Sequence, residues 1–514
     1  MVKASLCIPL SRTGFLGPSR PANYNYPNGC GHDCLRAIVE RVFLVRQSDG
    51  AMGPPLSPVK SFHKLTGGVL RYCPKPTSAL PAKLEDVPLM MNLACKRKTY
   101  TAALKSFEAR PLCRGDAMLS SFVKIEPANH SVKKDPVPRL IQPRSPRYNI
   151  HVARFIKPIE HILYVCAAQW PWSRPTDTPV ILKGYSASER GAILYEKFSA
   201  FVDPIAIPTD ISRFDQHVSV EALKWEHSIY KRYYAHSGEG RELARLLRWQ
   251  LENKGHCRPK DGAHISYCVK GGRASGDMNT ALGNCMIVAG LMFGFQQRTG
   301  IRAEFAIDGD DCVTIVERSD YDSVRHSLPR HFREAGFTLV VEPAVDVFER
   351  IEFCQSRPVW NGKRYIMVRN PMKALSTDLC GAGRWANPAW HNRLKQAVGV
   401  GGGHLSVGVP IMQAWYESIR DGDECDLADL GETGFAYLAR RAMRNRRGVP
   451  TVPIADSARV SFYYAFGVTP DMQVALEQDL LQRRPPTGPP VFVPGDVTGW
   501  TNDINVQLNY LFVN

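Results

Sequence analysis

No stretch of this chain reaches the ~18 consecutive apolar residues that cross a bilayer. The longest candidate, Cys285 to Phe295, has the length of a buried helix. The N-terminus lacks the basic, apolar and small-residue order of a secretory signal. The 14 cysteines are scattered. Cys30 and Cys34 lie close, in CGHDC around His32, but no second pair follows at ligand spacing. That argues against a zinc module and for reduced thiols in a cytosolic protein. Acidic residues are scarcer than basic ones: 49 Asp and Glu against 65 Lys and Arg leave a formal charge of +16. Such an excess favours a polyanionic partner, nucleic acid first and an anionic membrane second. At 514 residues and 44% hydrophobic content the chain is globular, with length for roughly two to four domains or subdomains.

The densest chemistry is AIDGDDC, Ala306 to Cys312. The alternation of Ala303, Phe305 and Ile307 leads in, and the apolar run Cys312 to Val316 leads out, which predicts strand, tight turn, strand. Gly309 supplies the turn. Asp310 and Asp311 are left adjacent at its tip, where two poorly hydrated carboxylates repel each other and a hard divalent cation relieves them. In DPIAIPTDISRFDQHV, Asp210 and Asp215 lie five apart, with Pro204 and Pro208 arguing against a regular central strand before them. Two helices follow, carrying Trp225, Ile229 and Tyr233, then Leu243, Leu246, Leu247 and Leu251. KGGRASGDMNTALGN opens an apolar helix. The backbone of Ser275 and Gly276 can approach a ligand closely, and Thr280 and Asn284 share one helix face, suited to a sugar hydroxyl.

Elsewhere the pattern is plainer. Cys34 to Val45 is an amphipathic helix, and a second helix is expected over Thr101 to Phe107. Residues 121–150 crowd Lys124, Lys133, Lys134, Arg139, Arg144 and Arg147 among prolines, predicting stiff extended ribbons that guide phosphates. Tyr321 to Gly336 is helical, with Val324, Leu328 and Phe332 on one side and Pro329 as a kink. Phe337 to Val341 is a strand, and Ile351 to Cys354 with Tyr365 to Val368 a candidate hairpin. Gly399 and Gly401 to Gly403 read as a flexible joint. The arginines between Arg440 and Arg447 are either phosphate contacts or solvated, and the tail near Trp500 and Tyr510 either packs or offers a priming platform.

If adjacent strands bring Asp210 to Asp310 and Asp311, the three carboxylates hold two Mg²⁺ ions about 4 Å apart. The basic segment then covers a triphosphate, and Asp215 with Ser275, Thr280 and Asn284 reads a ribose.

In order along the chain, FVKIEP, PRLIQPRSPRYN, DISRFDQHVS, GGRASGDMNTALGN, IDGDDC and IEFCQSRPV resemble the RNA-dependent RNA polymerases of positive-strand RNA viruses, in particular the tombusvirus-like group. The resemblance covers roughly residues 30–380. It implies an α+β right-hand fold of fingers, palm and thumb enclosing the active site, the palm an antiparallel sheet with flanking helices. Residues 1–110 would be an N-terminal extension and fingertips, 111–202 fingers, 203–375 palm with an inserted fingers part at about 222–270, and 376–514 thumb and tail. Asp210, Asp310 and Asp311 would be catalytic metal ligands for two Mg²⁺, with Mn²⁺ as a substitute. Asp215, Ser275, Gly276, Thr280 and Asn284 would select the ribose. Lys124, Lys134, Arg139 and Arg147 would line the triphosphate channel, and Ile351 to Ser356 would grip the primer end.

Implied partners are a single-stranded RNA template, nascent RNA and nucleoside triphosphates. A separate membrane-anchored viral replication protein, or a missing leader, would bring the chain from host cytoplasm to membrane replication complexes. One departure stands out: Ser319 to Glu349 contains no lysine to protonate pyrophosphate, and His331 is the better candidate general acid there, since arginine holds its proton too tightly. A reverse transcriptase is disfavoured by the hydroxyl-reading set. The rival reading is a non-catalytic RNA-binding scaffold with the same fold.

Overall fold

The strand Pro204–Ile211 organises the middle of the molecule. Its side chains alternate between two apolar layers: Ile205, Ile207 and Ile211 enter one core and Ala206 the other. It pairs antiparallel with Asp311–Glu317 on one side and Leu339–Val341 on the other, and Glu304–Asp308 completes the sheet beyond Asp311–Glu317. In the computed structural model the residues described are 2–5, 24–25, 27, 29–47, 49–91, 93–124, 126, 128–129, 135–259, 261–379, 390–422, 439 and 448–482.

The prolines do not demote this strand. The ladder runs to Val341 opposite Thr209 and resumes at Val345 opposite Ala206, four residues against three. Pro208 therefore lies at a bulge, where its missing N–H breaks no ladder bond and its carbonyl accepts from the amide of Glu342 at 3.0 Å.

The helix Thr280–Thr299 is apolar all round and buried from Leu282 to Gln296, as expected of a helix with no wet face. It fills the space between the sheet and the helices Pro146–Ala168, Val220–Tyr233 and Tyr321–Glu334. Pro146 stands in the first turn of the 23-residue helix Pro146–Ala168, where a proline costs no hydrogen bond, and Ser145 caps it. The predicted extended ribbon thus stops at residue 145. Its strands are Leu119–Val123 and Leu140–Ile141, part of a second sheet with Glu252–Cys257, His264–Lys270 and Val2–Ser5. The N-terminal helix forms over Gly31–Ile38 and runs on as a π-helical stretch, Val39–Phe43. The next predicted one forms earlier than expected, over Ala94–Lys105.

Two further expectations change. The hairpin after Ile351 is Ser356–Trp360 with Tyr365–Arg369. Ile351 to Cys354 instead leads into a tight turn, with positive φ at Cys354 (52°) and Gln355 (56°). The glycine run from 399 is no joint: it lies inside the helix His391–Leu405. A Cβ at Gly402 would come 2.1 Å from the ring of Tyr416, so the glycines let Met412–Ser418 pack directly on the helix. Lys133, Lys134, the arginines from 440 to 447, Trp500 and Tyr510 lie outside the described residues. No helix among the described residues is long and apolar enough to cross a membrane.

Candidate active site

Cys312 pairs with Thr209 across the two central strands. One step outward, Asp311 and Asp210 emerge at the same end of the sheet, beside Asp310 at the turn. Gly309 holds that turn with φ 75°, and its amide donates to Cys285 Sγ at 3.2 Å, pinning the tip to the buried helix. Asp210 and Asp310 are exposed and Asp311 half-buried. Burial raises Asp310, and so does the field of Asp210, while Arg139 and Lys183 pull it down. Asp311 is pushed up to about 6 by burial, then by Asp310, Asp308 and Asp210. The carboxylates from the two strands therefore share one field.

Among the described residues no three His, Cys, Asp or Glu side chains close into a metal cage. Magnesium seldom uses such a cage; it takes one or two carboxylates, waters and substrate phosphate oxygens. An all-oxygen set of mutually repelling, solvent-reaching carboxylates fits that ion.

The predicted sugar-reading residues are brought together in part. Asn284 Nδ2 donates to Asp215 Oδ1 at 3.1 Å. Asp215 is pushed up to about 6, chiefly by burial, with Asn284, Arg273 and Arg139 opposing the rise. The hydroxyl of Thr280 donates to the carbonyl of Ala274 at 2.7 Å, closing the loop onto the helix. Ser275 Oγ accepts from the amide of Gln142 at 3.0 Å. Gly276 is required by packing: a Cβ there would lie 2.4 Å from Pro143 Cα. Its close approach is to the basic ribbon, which ties that ribbon to the loop expected to read the sugar.

A family described as viral RNA dependent RNA polymerase matches residues 12–485. The chain belongs to that family. It is 40% identical over 473 residues to the RNA-directed RNA polymerase of Melon necrotic spot virus, covering 90% of this chain and 58% of that protein. To the enzyme of the same name from Turnip crinkle virus it is 38% identical over 486 residues, 92% of this chain and 60% of the other. To that of Tobacco necrosis virus (strain A) it is 39% identical over 448 residues, 86% and 60%. The chain thus spans about three-fifths of these viral polymerases' length.

The cations expected of a viral polymerase's triphosphate channel divide. Arg139, at the start of the ribbon strand Leu140–Ile141, acts on both Asp215 and Asp310. Lys124, whose amide bonds the Arg139 carbonyl at 2.8 Å, pairs with Glu126 at 2.7 Å. Lys134 lies outside the described residues. Arg147 is placed elsewhere. Its guanidinium is buried, bonded to Asp116 at 3.1 Å, to Ser106 and to the carbonyls of Arg110 and Pro111, and it stacks on Phe107. It serves the scaffold, because the helix begun by Pro146 turns it inward.

His331 does not suit the general-acid role. It is 1% exposed, its Nε2 meets the carbonyl of Leu291 at 2.9 Å, and Phe295 and Phe332 flank it. Burial, aided by Arg298, lowers its pKa to about 4. At neutral pH it holds no dissociable proton to give, and the apolar face of its helix has carried it into the core.

Two groups of residues escaped the sequence reading. Asp308, just before the turn, is clasped by Lys183 at 2.7 Å and Arg190 at 2.5 Å. Ile181 bridges Ile307 in parallel and brings Lys183 alongside; only the apolar triplet Val180–Leu182 hinted at it. Beneath Asn284 lies a buried pair, Arg273 and Glu226, 3% and 0% exposed. Arg273 stands in the quoted GGRASG motif, but nothing in the spacing of Glu226 sets it apart from an ordinary helix-surface glutamate.

Proposed function

We propose that the chain carries the RNA-copying centre of a viral replicase, an RNA-directed RNA polymerase joining ribonucleotides with release of pyrophosphate. The observation that carries this reading is the common field of Asp210, Asp310 and Asp311 from neighbouring strands, with Arg139 acting both on Asp310 and on the sugar-side Asp215. Asp210, Asp310 and Asp311 hold the Mg²⁺ ions, with Mn²⁺ able to replace them. Held there, the ions would supply acidification of the attacking hydroxyl and neutralisation of phosphate charge. Arg139, with Lys124 beside it, faces the triphosphate and supplies fixed positive charge. Asp215, held by Asn284, accepts from the ribose hydroxyl.

The architecture belongs to the same proposal. The two-cored sheet is the palm, the ribbon sheet belongs to the fingers, and the separate apolar cluster of Trp415 and Tyr416 with Phe462, from the helix Asp456–Phe466, is the core of the thumb. The substrates are a single-stranded RNA template, nascent RNA and nucleoside triphosphates. A membrane-anchored replication protein would hold the chain at membranes of the host cytoplasm.

The test is incorporation of labelled ribonucleotides on single-stranded RNA with Mg²⁺, comparing the chain with Asp310→Ala. We expect incorporation that the substitution abolishes. Salt-sensitive RNA binding with no pyrophosphate release, even after adding a paired primer and Mn²⁺, would favour the scaffold.

A further inference from the structure

Asn284 can present either end of its amide to Asp215, and the two ends have opposite effects. Its NH₂ steadies the carboxylate as an acceptor, whereas its oxygen repels it. The choice is made from below. Arg273 Nε donates to Asn284 Oδ1 at 3.0 Å, which claims the oxygen and turns Nδ2 toward Asp215 Oδ1. The amide of Arg273 also donates to the carbonyl of Asp215 at 2.7 Å, so one residue grips both members of the pair.

Arg273 is itself fixed. Its two terminal nitrogens bond Glu226, whose Oε1 also accepts from Tyr230 at 2.8 Å and Asn279 at 2.7 Å. Asn279 in turn is held by Gln250 at 2.9 Å. A charged pair this deep is costly to desolvate and is weak evidence of a stabilising role, since well-packed apolar residues often serve a core as well or better. The helix accommodates it through Gly283, where a Cβ would lie 2.3 Å from Glu226 Oε1 and 2.5 Å from Arg273 Nη2.

We infer that Arg273, braced by Glu226, is a positioning residue for sugar selection: it sets the orientation of the Asn284 amide and so keeps Asp215 ready to accept from a ribose hydroxyl. This rests on the ribose reading proposed above. Lysine cannot replace it, because a single ammonium cannot span both Glu226 and the amide oxygen in the fork geometry of a guanidinium.

The test uses the full chain on a primed RNA template. It measures kcat/KM for one ribonucleotide and its 2′-deoxy counterpart in parent, Asp215→Ala, Arg273→Lys and the charge-free pair Glu226→Leu/Arg273→Met. The double variant removes both charges together, so no lone buried charge remains to unfold the protein, and thermal melting checks this. Asp215→Ala should collapse the ribo-to-deoxy ratio. Arg273→Lys and the double variant should lower it roughly tenfold, the scale of a hydrogen bond to a charged group. The loss should fall on the ribonucleotide KM, with deoxynucleotide incorporation little changed. A purely structural pair would lower both rates alike. A parent-like ratio in the folded double variant, with the ratio lost in Asp215→Ala, overturns the inference and leaves the ribose reading intact. A parent-like ratio in Asp215→Ala overturns the ribose reading itself.

Discussion

An imidazole sealed in a core resists protonation, as two histidines deep in this molecule illustrate. His331 and His227 are both lowered to about 4, each chiefly by burial. The unfolded chain binds their protons near 6.5, so between pH 6.5 and 4 it holds more protons than the folded chain. Stability is full above 6.5 and falls as the pH drops toward 4. For His331 alone the loss by pH 4 is on the order of 3 kcal/mol. His331→Phe should therefore flatten the acid limb of the melting-temperature profile and leave single-turnover incorporation at neutral pH near the parent rate. A pH-rate profile altered near neutrality by the substitution would restore the general-acid role. The convergence of Asp210 with Asp310 and Asp311 was legible because the apolar runs beside them mark the strands whose ends they occupy. His331 misled because sequence shows a residue's type before it shows its depth, and the Val324, Leu328 and Phe332 face turned it into the core. Arg147 misled for a related reason: one proline ended the ribbon and began a helix.

The hairpin carrying Asp310 and Asp311 is stiffened from outside the sheet. Asp308, 9% exposed, is neutralised by Lys183 and Arg190, and Arg190 also lies 5.7 Å from the ring centre of Phe353. Arg190→Met should cost about 2–3 kcal/mol, since Lys183 remains to compensate part of the buried charge, and Asp308→Asn added to it should recover most of that loss. Urea unfolding of the two variants checks both. The helix His391–Leu405 offers the opposite lesson. Alanine for glycine in a helix ordinarily stabilises by about 1 kcal/mol, and a flexible joint would behave that way or not respond. Here Gly402→Ala drives a methyl into Tyr416 and should destabilise by about 1–3 kcal/mol. The melting temperature gives the sign directly. Periodicity made the long apolar helix and the hairpin strands readable, whereas a run of glycines argues against helix by propensity alone. Only a partner ring, brought in from another helix, reverses that argument. Pro208 is the strand version, acceptable because its neighbour bulges there.

At the scale of the whole molecule, the N-terminal segment is tied to the site through the basic ribbon. Arg36 pairs with Asp135 at 2.6 Å, and Arg41 Nη2 donates to the carbonyl of Val137 at 2.8 Å. From the other side Arg213, in a left-handed conformation at φ 49°, reaches the carbonyl of Glu40, and Gln216 Nε2 reaches that of Leu44 at 3.0 Å. Sequence order could not reveal this closure: residues near 40 meet residues near 137 and 215, and no local pattern encodes such pairings. The exposed Arg36–Asp135 pair is worth little on its own. Arg41 matters more, because it is half-buried, holds the ribbon backbone two residues from Arg139, and is lowered to about 10 by desolvation and by the fields of Arg213 and Arg139. If Arg139 binds the triphosphate and Arg41 acts only by holding its ribbon, the two effects must not add. Arg139→Ala should raise the nucleotide KM roughly tenfold, the scale of one charge-assisted contact, with little change in kcat. Arg41→Met should raise it less, and the double variant should be no worse than Arg139→Ala alone. Steady-state incorporation over a range of nucleotide concentrations measures all three. Additive effects would mean that Arg41 touches substrate or RNA itself, and that the N-terminal segment forms part of the binding surface.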